Sequence, residues 1–230
     1  MMDNNNKIDF ASVLGAAVHD MKNSLCLLLR TIENLTQSIN TEDQLIRDEL
    51  ASAHYEAARL NTSLMQLLSL YRSGLDNLPV NIDQHYVDDF VDELLANNQG
   101  YLQQKNRDIK VEQQAELQWY FDVDLLGILL NDMLINAMRY CRNTIMLKVA
   151  KQDDYLVIQV EDDGPGFPAD MLAATQISMQ HFDISHGRTG LGLFFARLIA
   201  QAHTRGEKQG YIALSNGGTL GGGVFTLKLP

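Results

Sequence analysis

Asn131–Tyr140 reads N-D-M-L-I-N-A-M-R-Y, Val160–Phe167 reads V-E-D-D-G-P-G-F, and Gly187–Leu193 reads G-R-T-G-L-G-L, in that order along the chain. In the first stretch Asp132, Asn136 and Arg139 stand at steps of four and three, so all three project from one face of a helix. An asparagine carbonyl oxygen is a hard ligand suited to Mg²⁺ held jointly with phosphates. Arg139 can neutralise phosphate charge, and Asp132 is placed to act as an outer ligand or as a base. In the second, Asp162 follows an apolar strand and can accept a hydrogen bond from an exocyclic amine, which favours adenine over guanine. Gly164 and Gly166 keep the backbone clear where a ring must come close. In the third, Gly190 and Gly192 open a helix whose first N–H groups and dipole suit a phosphate. Each element alone also reads as something ordinary: a mixed polar helix surface, a tight turn, a glycine-rich loop. In this order they describe a pocket for a nucleoside triphosphate built without a Walker-type loop.

Around these stretches the hydrophobic pattern predicts an α+β domain. Tyr86–Leu95, Leu125–Tyr140 and Leu193–His203 have a helical period, and Tyr155–Glu161 alternates with Leu156, Ile158 and Val160 on one face. Tyr211–Leu214 and Val224–Leu229 are expected to form a closing hairpin, with Phe225, Leu227 and Leu229 inward and Thr226 and Lys228 outward. The glycines of S-N-G-G-T-L-G-G-G supply the turn between them.

The N-terminal part is of a different kind. Phe10, Val13, Leu14, Ala17, Val18, Met21, Leu25, Leu28, Ile32, Leu35 and Ile39 recur at three- and four-residue steps, and a second helical stretch runs from Thr41 to Tyr71. Ser38–Glu42 separates the two. An α-helical hairpin cannot bury both apolar stripes alone, so dimerisation into a four-helix bundle is expected. Arg72–Val80 holds Gly74 and Pro79 and reads as a linker, giving units 1–74 and 81–230 with 75–80 between them. The hairpin carries H-D-M-K-N-S-L at His19–Leu25. Asp20, beside His19, can take the imidazole proton during attack on a phosphate, and Asn23 shares its helix face.

The bulk properties narrow the class. A net charge of −11 argues against a nucleic-acid partner. No apolar run approaches the length of a membrane span, and the polar start is not a signal peptide, so a soluble cytoplasmic protein is expected. Cys26 and Cys141 lie far apart and read as buried reduced thiols. His54 and His85 have no partner pattern, His181 and His186 read as solvent-exposed rather than as phosphate contacts, and Met133, Met138, Met146, Met171 and Met179 read as filling rather than metal ligands.

The three pocket stretches resemble the N, G1 and G2 boxes of the GHKL ATP-binding fold as sensor histidine kinases carry it, and His19–Leu25 resembles that family's H box. The likeness covers nearly the whole chain and implies an all-α dimerisation and phosphotransfer hairpin followed by an α/β-sandwich ATP-binding domain. By this similarity Asn136 binds Mg²⁺, Arg139 and Tyr140 contact ATP, and Asp162 reads adenine. Gly164, Gly166, Gly190 and Gly192 shape the loops, with Asp132, Arg188, Thr189, Leu191 and Leu193 at the same site. Ala169–Arg188 corresponds to a mobile ATP lid. His19 is the implied phosphoacceptor, Asp20 its acid partner and Asn23 the polar residue of phosphatase action. Lys22 fits the basic position of that box. Asp132 stands where the family usually has asparagine, and Ser24 where it frequently has proline.

The implied function is autophosphorylation of His19 and transfer to an aspartate of a response-regulator receiver domain, with phosphatase action a further possibility. Only eighteen residues precede His19, so two expectations stand: a separate sensor protein acts in trans, or the chain is a piece of a larger sensor. Two alternatives stay open: a non-kinase phosphotransfer or phosphatase module of the same architecture, and a serine kinase of the anti-sigma type.

Overall fold

A computed structural model of the chain describes residues 78–174 and 190–230 together with 21, 23–32, 34, 35, 46, 50, 53, 57 and 60. The chain divides into two compact units, Met1–Asp76 and Asn77–Pro230.

In the first unit residues 21, 23–32, 34 and 35 are helical, as are Ile46, Leu50, Ala53, Ala57 and Leu60. The latter stand at steps of four and three, the helical period read from the second stretch. Ile32 and Ala57 are buried, whereas Met21, Leu28 and Leu35, each seven residues from the next, are 55 %, 48 % and 42 % exposed. Cys26 is exposed rather than buried, because its side of the helix faces away from Ile32; Cys141 is buried, and both thiols are free. Among the described residues no helix is long and apolar enough to cross a membrane.

The second unit is built on a five-stranded sheet. Its strands are β2 (Asp108–Gln113), β4 (Thr144–Gln152), β5 (Tyr155–Asp162), β9 (Gly223–Leu229) and β8 (Tyr211–Asn216), in spatial order β2-β4-β5-β9-β8. The β2–β4 pairing is parallel and the others are antiparallel. Alternation sends Ile145, Leu147 and Val149 of β4, Leu156, Ile158 and Val160 of β5, and Phe225, Leu227 and Leu229 of β9 into one core. Leu147 stands opposite Val160, and Val160 opposite Phe225, so the inward set is continuous across the sheet.

Helices α1 (Val87–Lys105), α2 (Val123–Tyr140) and α4 (Gly190–Ala202) supply the other side of this core. On α2 the buried residues Leu126, Leu129, Leu130, Met133, Leu134, Ala137 and Met138 form one stripe. A short ribbon of β1 (Asp83–Tyr86) and β3 (Gln118–Phe121) packs through Phe121, whose ring lies 5.2 Å from Phe90 and 5.0 Å from His85. A six-residue α3 (Ala169–Ala174) and a small hairpin of β6 (Thr204–Arg205) and β7 (Lys208–Gln209) complete the unit. Helix α1 runs ten residues past its expected end at Leu95. Gly100 lies in its interior with nothing around it, and the helix continues because Leu102 reaches the core. It stops at Asn106, left-handed at φ 50°, with the Arg107 N–H returning to the Leu102 carbonyl.

One polar node joins three segments. Asp122 caps α2 through Oδ1, which accepts from the Leu125 N–H at 3.0 Å, while Oδ2 accepts from the Asn81 N–H at 2.7 Å. The Asp122 N–H donates to His203 Nε2 at 3.0 Å, which leaves the ring proton on Nδ1, 2.7 Å from the Ile199 carbonyl. Burial pushes the His203 pKa below its ordinary 6.5, against the opposing pull of the Ile199 bond and the Asp122 carboxylate. The folded state therefore binds the proton less well than the unfolded state. The stabilisation is complete above about 6.5 and is lost as pH falls from there through the depressed folded value. Thermal melting of wild type and His203→Gln from pH 8 to pH 5 is expected to show the steeper fall in the wild type. Parallel curves would refute it.

Candidate functional site

Helix α2 lies between the two glycine segments. At its C-terminal end, a Cβ placed on Gly164 would stand 2.3 Å from the Tyr140 carbonyl oxygen and 2.8 Å from Asp162 Oδ1. In its middle, a Cβ on Gly192, in the first turn of α4, would stand 2.8 Å from Asp132 Oδ2. Asp132 and Asn136 are half-buried on this helix, and Arg139 and Tyr140 are exposed, the guanidinium 5.7 Å over the tyrosine ring. Asn131, beside Asp132, faces elsewhere: its Oδ1 accepts from Nδ2 of the buried Asn98 on α1 at 2.8 Å, a link the sequence pattern did not reveal.

The two aspartates of D-D-G-P-G divide the work. Asp162, at the end of β5, is buried, and its Oδ1 accepts from the Gly164 N–H at 2.7 Å and the Gly223 N–H at 3.3 Å. Asp163 turns the other way and ties down the connection from α2 to β4. Its Oδ1 accepts from the Arg142 and Asn143 N–H groups at 2.6 and 3.0 Å, and its Oδ2 from those of Asn143 and Thr144 at 3.0 and 3.1 Å. Burial raises the Asp163 pKa, but these backbone donors outweigh it and hold the carboxyl below the usual range. Asp163 thus fixes where α2 ends, and Asp162 keeps its carboxylate at the mouth of the turn.

The glycine stretch between β8 and β9 does more than turn the chain. The Gly222 N–H donates to the Asp162 carbonyl at 3.0 Å, and the Gly217 N–H to the Gly222 carbonyl at 2.8 Å. A Cβ on Gly222 would sit 2.3 Å from the Asp162 carbonyl oxygen, 2.5 Å from its Oδ1 and 2.6 Å from the Gly164 nitrogen. Asn216 holds the far side of the turn, accepting from the Phe167 N–H at 2.7 Å and donating to the Phe167 carbonyl at 2.9 Å. Asn216, Gly222 and Gly223 are site-shaping residues that sequence reading missed; the glycine run was their only signal. A cavity of about 350 Å³ bordered by Glu112, Lys148, Ala150, Val157 and Gln159 lies on the sheet face away from the helices.

Of the expected site residues, Asp132, Asn136, Arg139, Tyr140, Asp162, Gly164, Gly166, Gly190, Leu191, Gly192 and Leu193 lie on α2, on the turn after β5 or on the first turn of α4. Asn23 and Ser24 are helical and exposed. His19, Asp20, Lys22, Arg188, Thr189 and the lid beyond Ala174 lie outside the described residues, as do His54, His181, His186 and Met179. A helix face carrying amide and guanidinium groups, a buried carboxylate and a glycine-led helix start around one corner suit an anionic ligand that also carries a hydrogen-bonding ring.

Residues 121–230 match the family described as histidine kinase-, DNA gyrase B-, and HSP90-like ATPase. The sensor protein SrrB of Staphylococcus aureus is 24 % identical over 219 residues, which cover 92 % of this chain and 36 % of SrrB. This chain therefore spans about a third of the length of the curated relatives it matches. Among solved structures, the Acinetobacter baumannii histidine kinase AdeS shares the fold with a TM-score of 0.57 at 20 % identity, over 90 % of this chain and 95 % of that one. Full-length ShkA in complex with AMPPNP gives 0.64 at 18 % identity, over 95 % of this chain and 45 % of that one.

Proposed function

We propose that this chain, whose residues 121–230 form a GHKL-type ATP-binding domain, is a protein-histidine kinase core that phosphorylates His19 and passes the group to an aspartate of a response-regulator receiver domain. The observation that carries the proposal is the convergence of α2, the Asp162 turn and the first turn of α4 on one corner, in a chain that also contains H-D-M-K-N.

In this reading Asp162 accepts from the adenine amine, and Arg139 and Tyr140 contact the nucleotide. The glycines Gly164, Gly166, Gly190 and Gly192 admit base and phosphates, with Arg188, Thr189, Leu191 and Leu193 around them. The site suits Mg²⁺ because Asn136 offers an uncharged oxygen beside the carboxylate of Asp132 on the same half-buried helix face. When bound there, the ion neutralises phosphate charge. An imidazole nitrogen of His19 forms the N–P bond as the bond from the γ-phosphorus to the β,γ-bridging oxygen breaks. ADP leaves with that electron pair, and Asp20 takes the imidazole proton. Asn23, helical and exposed, suits the orientation of a water for hydrolytic loss of the phosphoryl group. The exposed heptad of Met21, Leu28 and Leu35 supports a homodimer in which a second copy covers it.

Incubation with γ-labelled ATP and Mg²⁺ tests this. The expected label is acid-labile and base-stable. An acid-stable label would move the chemistry to a hydroxyl acceptor, and no label despite ATP binding would leave a phosphotransfer or phosphatase module.

A further inference from the structure

Glu161 precedes Asp162 on β5 and so points to the opposite face of the sheet, yet it is only 3 % exposed. Its Oε1 accepts from Lys148 Nζ at 2.6 Å, and its Oε2 accepts from the Thr219 N–H at 2.8 Å. Lys148 Nζ also donates to Thr219 Oγ1 at 2.6 Å, which closes a three-membered cluster. Met146 stands opposite Glu161 and Lys148 opposite Gln159, so Lys148 and Glu161 are diagonal neighbours on the face away from the helices. Burial raises the Glu161 pKa, but the Lys148 bond and the Thr219 and Leu220 N–H groups outweigh it.

A buried carboxylate is costly to keep, and this one is tied to a loop rather than to the core. That loop, residues 217–222, leads directly to the Gly222 and Gly223 N–H groups that hold the Asp162 carbonyl and Oδ1. With the Gly164 N–H on the same oxygen, both backbone donors fall on Oδ1, and Oδ2 is the acceptor left for a ring amine. A Cβ on Gly218 would meet Glu161 Oε2 at 2.7 Å, so the loop lies directly against the carboxylate.

We infer that the Lys148–Glu161–Thr219 cluster determines nucleobase specificity. By pinning the 217–222 loop it fixes the rotation of the Asp162 carboxylate, and thereby the preference for adenine over guanine. The inference rests on Asp162 being the base-reading residue. Lys148, Glu161 and Thr219 are positioning residues: they act through Asp162.

The test is equilibrium titration of the full chain with ADP, GDP and tripolyphosphate, for wild type, Glu161→Ala, Glu161→Gln and Thr219→Ala. Glu161→Ala is expected to narrow the ADP-over-GDP affinity ratio about tenfold, the factor carried by one charge-assisted hydrogen bond, with tripolyphosphate affinity held within about twofold. Glu161→Gln keeps an acceptor for the Thr219 N–H and is expected to lose less. Thr219→Ala leaves the buried pair intact and is expected to narrow the ratio in the same direction, so the inference stays testable if Glu161→Ala folds poorly. An unchanged ratio in Glu161→Ala and Thr219→Ala overturns the inference, and so does an equal loss for all three ligands. A wild type without adenine preference would instead overturn the reading of Asp162.

Discussion

Asn136→Ala and His19→Ala are each expected to abolish ATP-dependent labelling, for separable reasons. Asn136 is a half-buried residue on the polar edge of α2, next to the fully packed stripe that includes Met133 and Ala137. Shortening it removes a hard oxygen ligand without opening the core, so the melting temperature should barely move. Loss of one preorganised group that stabilises transferring phosphate lowers the rate by about a hundredfold or more, below detection in an endpoint assay. Nucleotide affinity should fall with it when measured in the presence of Mg²⁺. His19→Ala should instead leave nucleotide binding at the wild-type value and remove only the acceptor. Calorimetric titration beside the labelling assay separates the two. Label persisting in His19→Ala would place the phosphoryl group on another residue, and label persisting in Asn136→Ala would remove that residue from the metal site.

Gly222→Ala has the second large effect, on binding and stability together. The added methyl would meet the Asp162 carbonyl oxygen at 2.3 Å, Asp162 Oδ1 at 2.5 Å and the Gly164 nitrogen at 2.6 Å. Two of these three are backbone atoms, one held by the Gly222 N–H itself at 3.0 Å, so no side-chain rotation relieves the clash. The loop must move away, which breaks that bond and the Gly223 contact to Oδ1. Overpacking of this kind costs about 1–3 kcal/mol, and urea denaturation should register it. Nucleotide affinity should fall by about a hundredfold, because both the carboxylate and the space beside it change. Gly100→Ala is the matched control: that glycine sits inside α1 with open space around it, and alanine there should stabilise by about 0.5–1 kcal/mol.

The elements that carry the candidate site were legible in sequence where periodicity and chemistry coincided. The α2 stretch combined an apolar stripe with Asp132, Asn136 and Arg139 on its other side, and β5 and β9 alternated cleanly down to Phe225, Leu227 and Leu229 facing inward. Six of the nine strands in the described residues were not legible, and of these β6 and β7 are two residues each. β1 and β3 are four residues each, β2 is a charged edge strand, and β4 follows α2 so closely that T-I-M-L-K-V-A-K shows no boundary of its own. The end of α1 was placed ten residues early because A-N-N-Q-G at residues 96–100 interrupts the apolar period, which Leu102 resumes. Adjacent aspartates have identical chemistry on paper. Only the path of the chain puts Asp163 under the Arg142, Asn143 and Thr144 N–H groups and Asp162 under those of Gly164 and Gly223. Lys148, Glu161 and Thr219 lie 13 and 58 residues apart, and the β4–β5 register together with the path of the 217–222 loop brings them together. His203 was passed over for the same reason: its partner, Asp122, is 81 residues away.

The Asp122 node has a mechanical meaning. It pins one end of an 18-residue helix to residue 81 and to the end of α4, while Asp132, Asn136 and Arg139 sit toward the opposite end. At 1.5 Å per residue that helix is about 27 Å long. Asp163 holds its other end through the Arg142, Asn143 and Thr144 N–H groups, so the face bearing Asp132, Asn136 and Arg139 is a span clamped at both ends rather than a free arm.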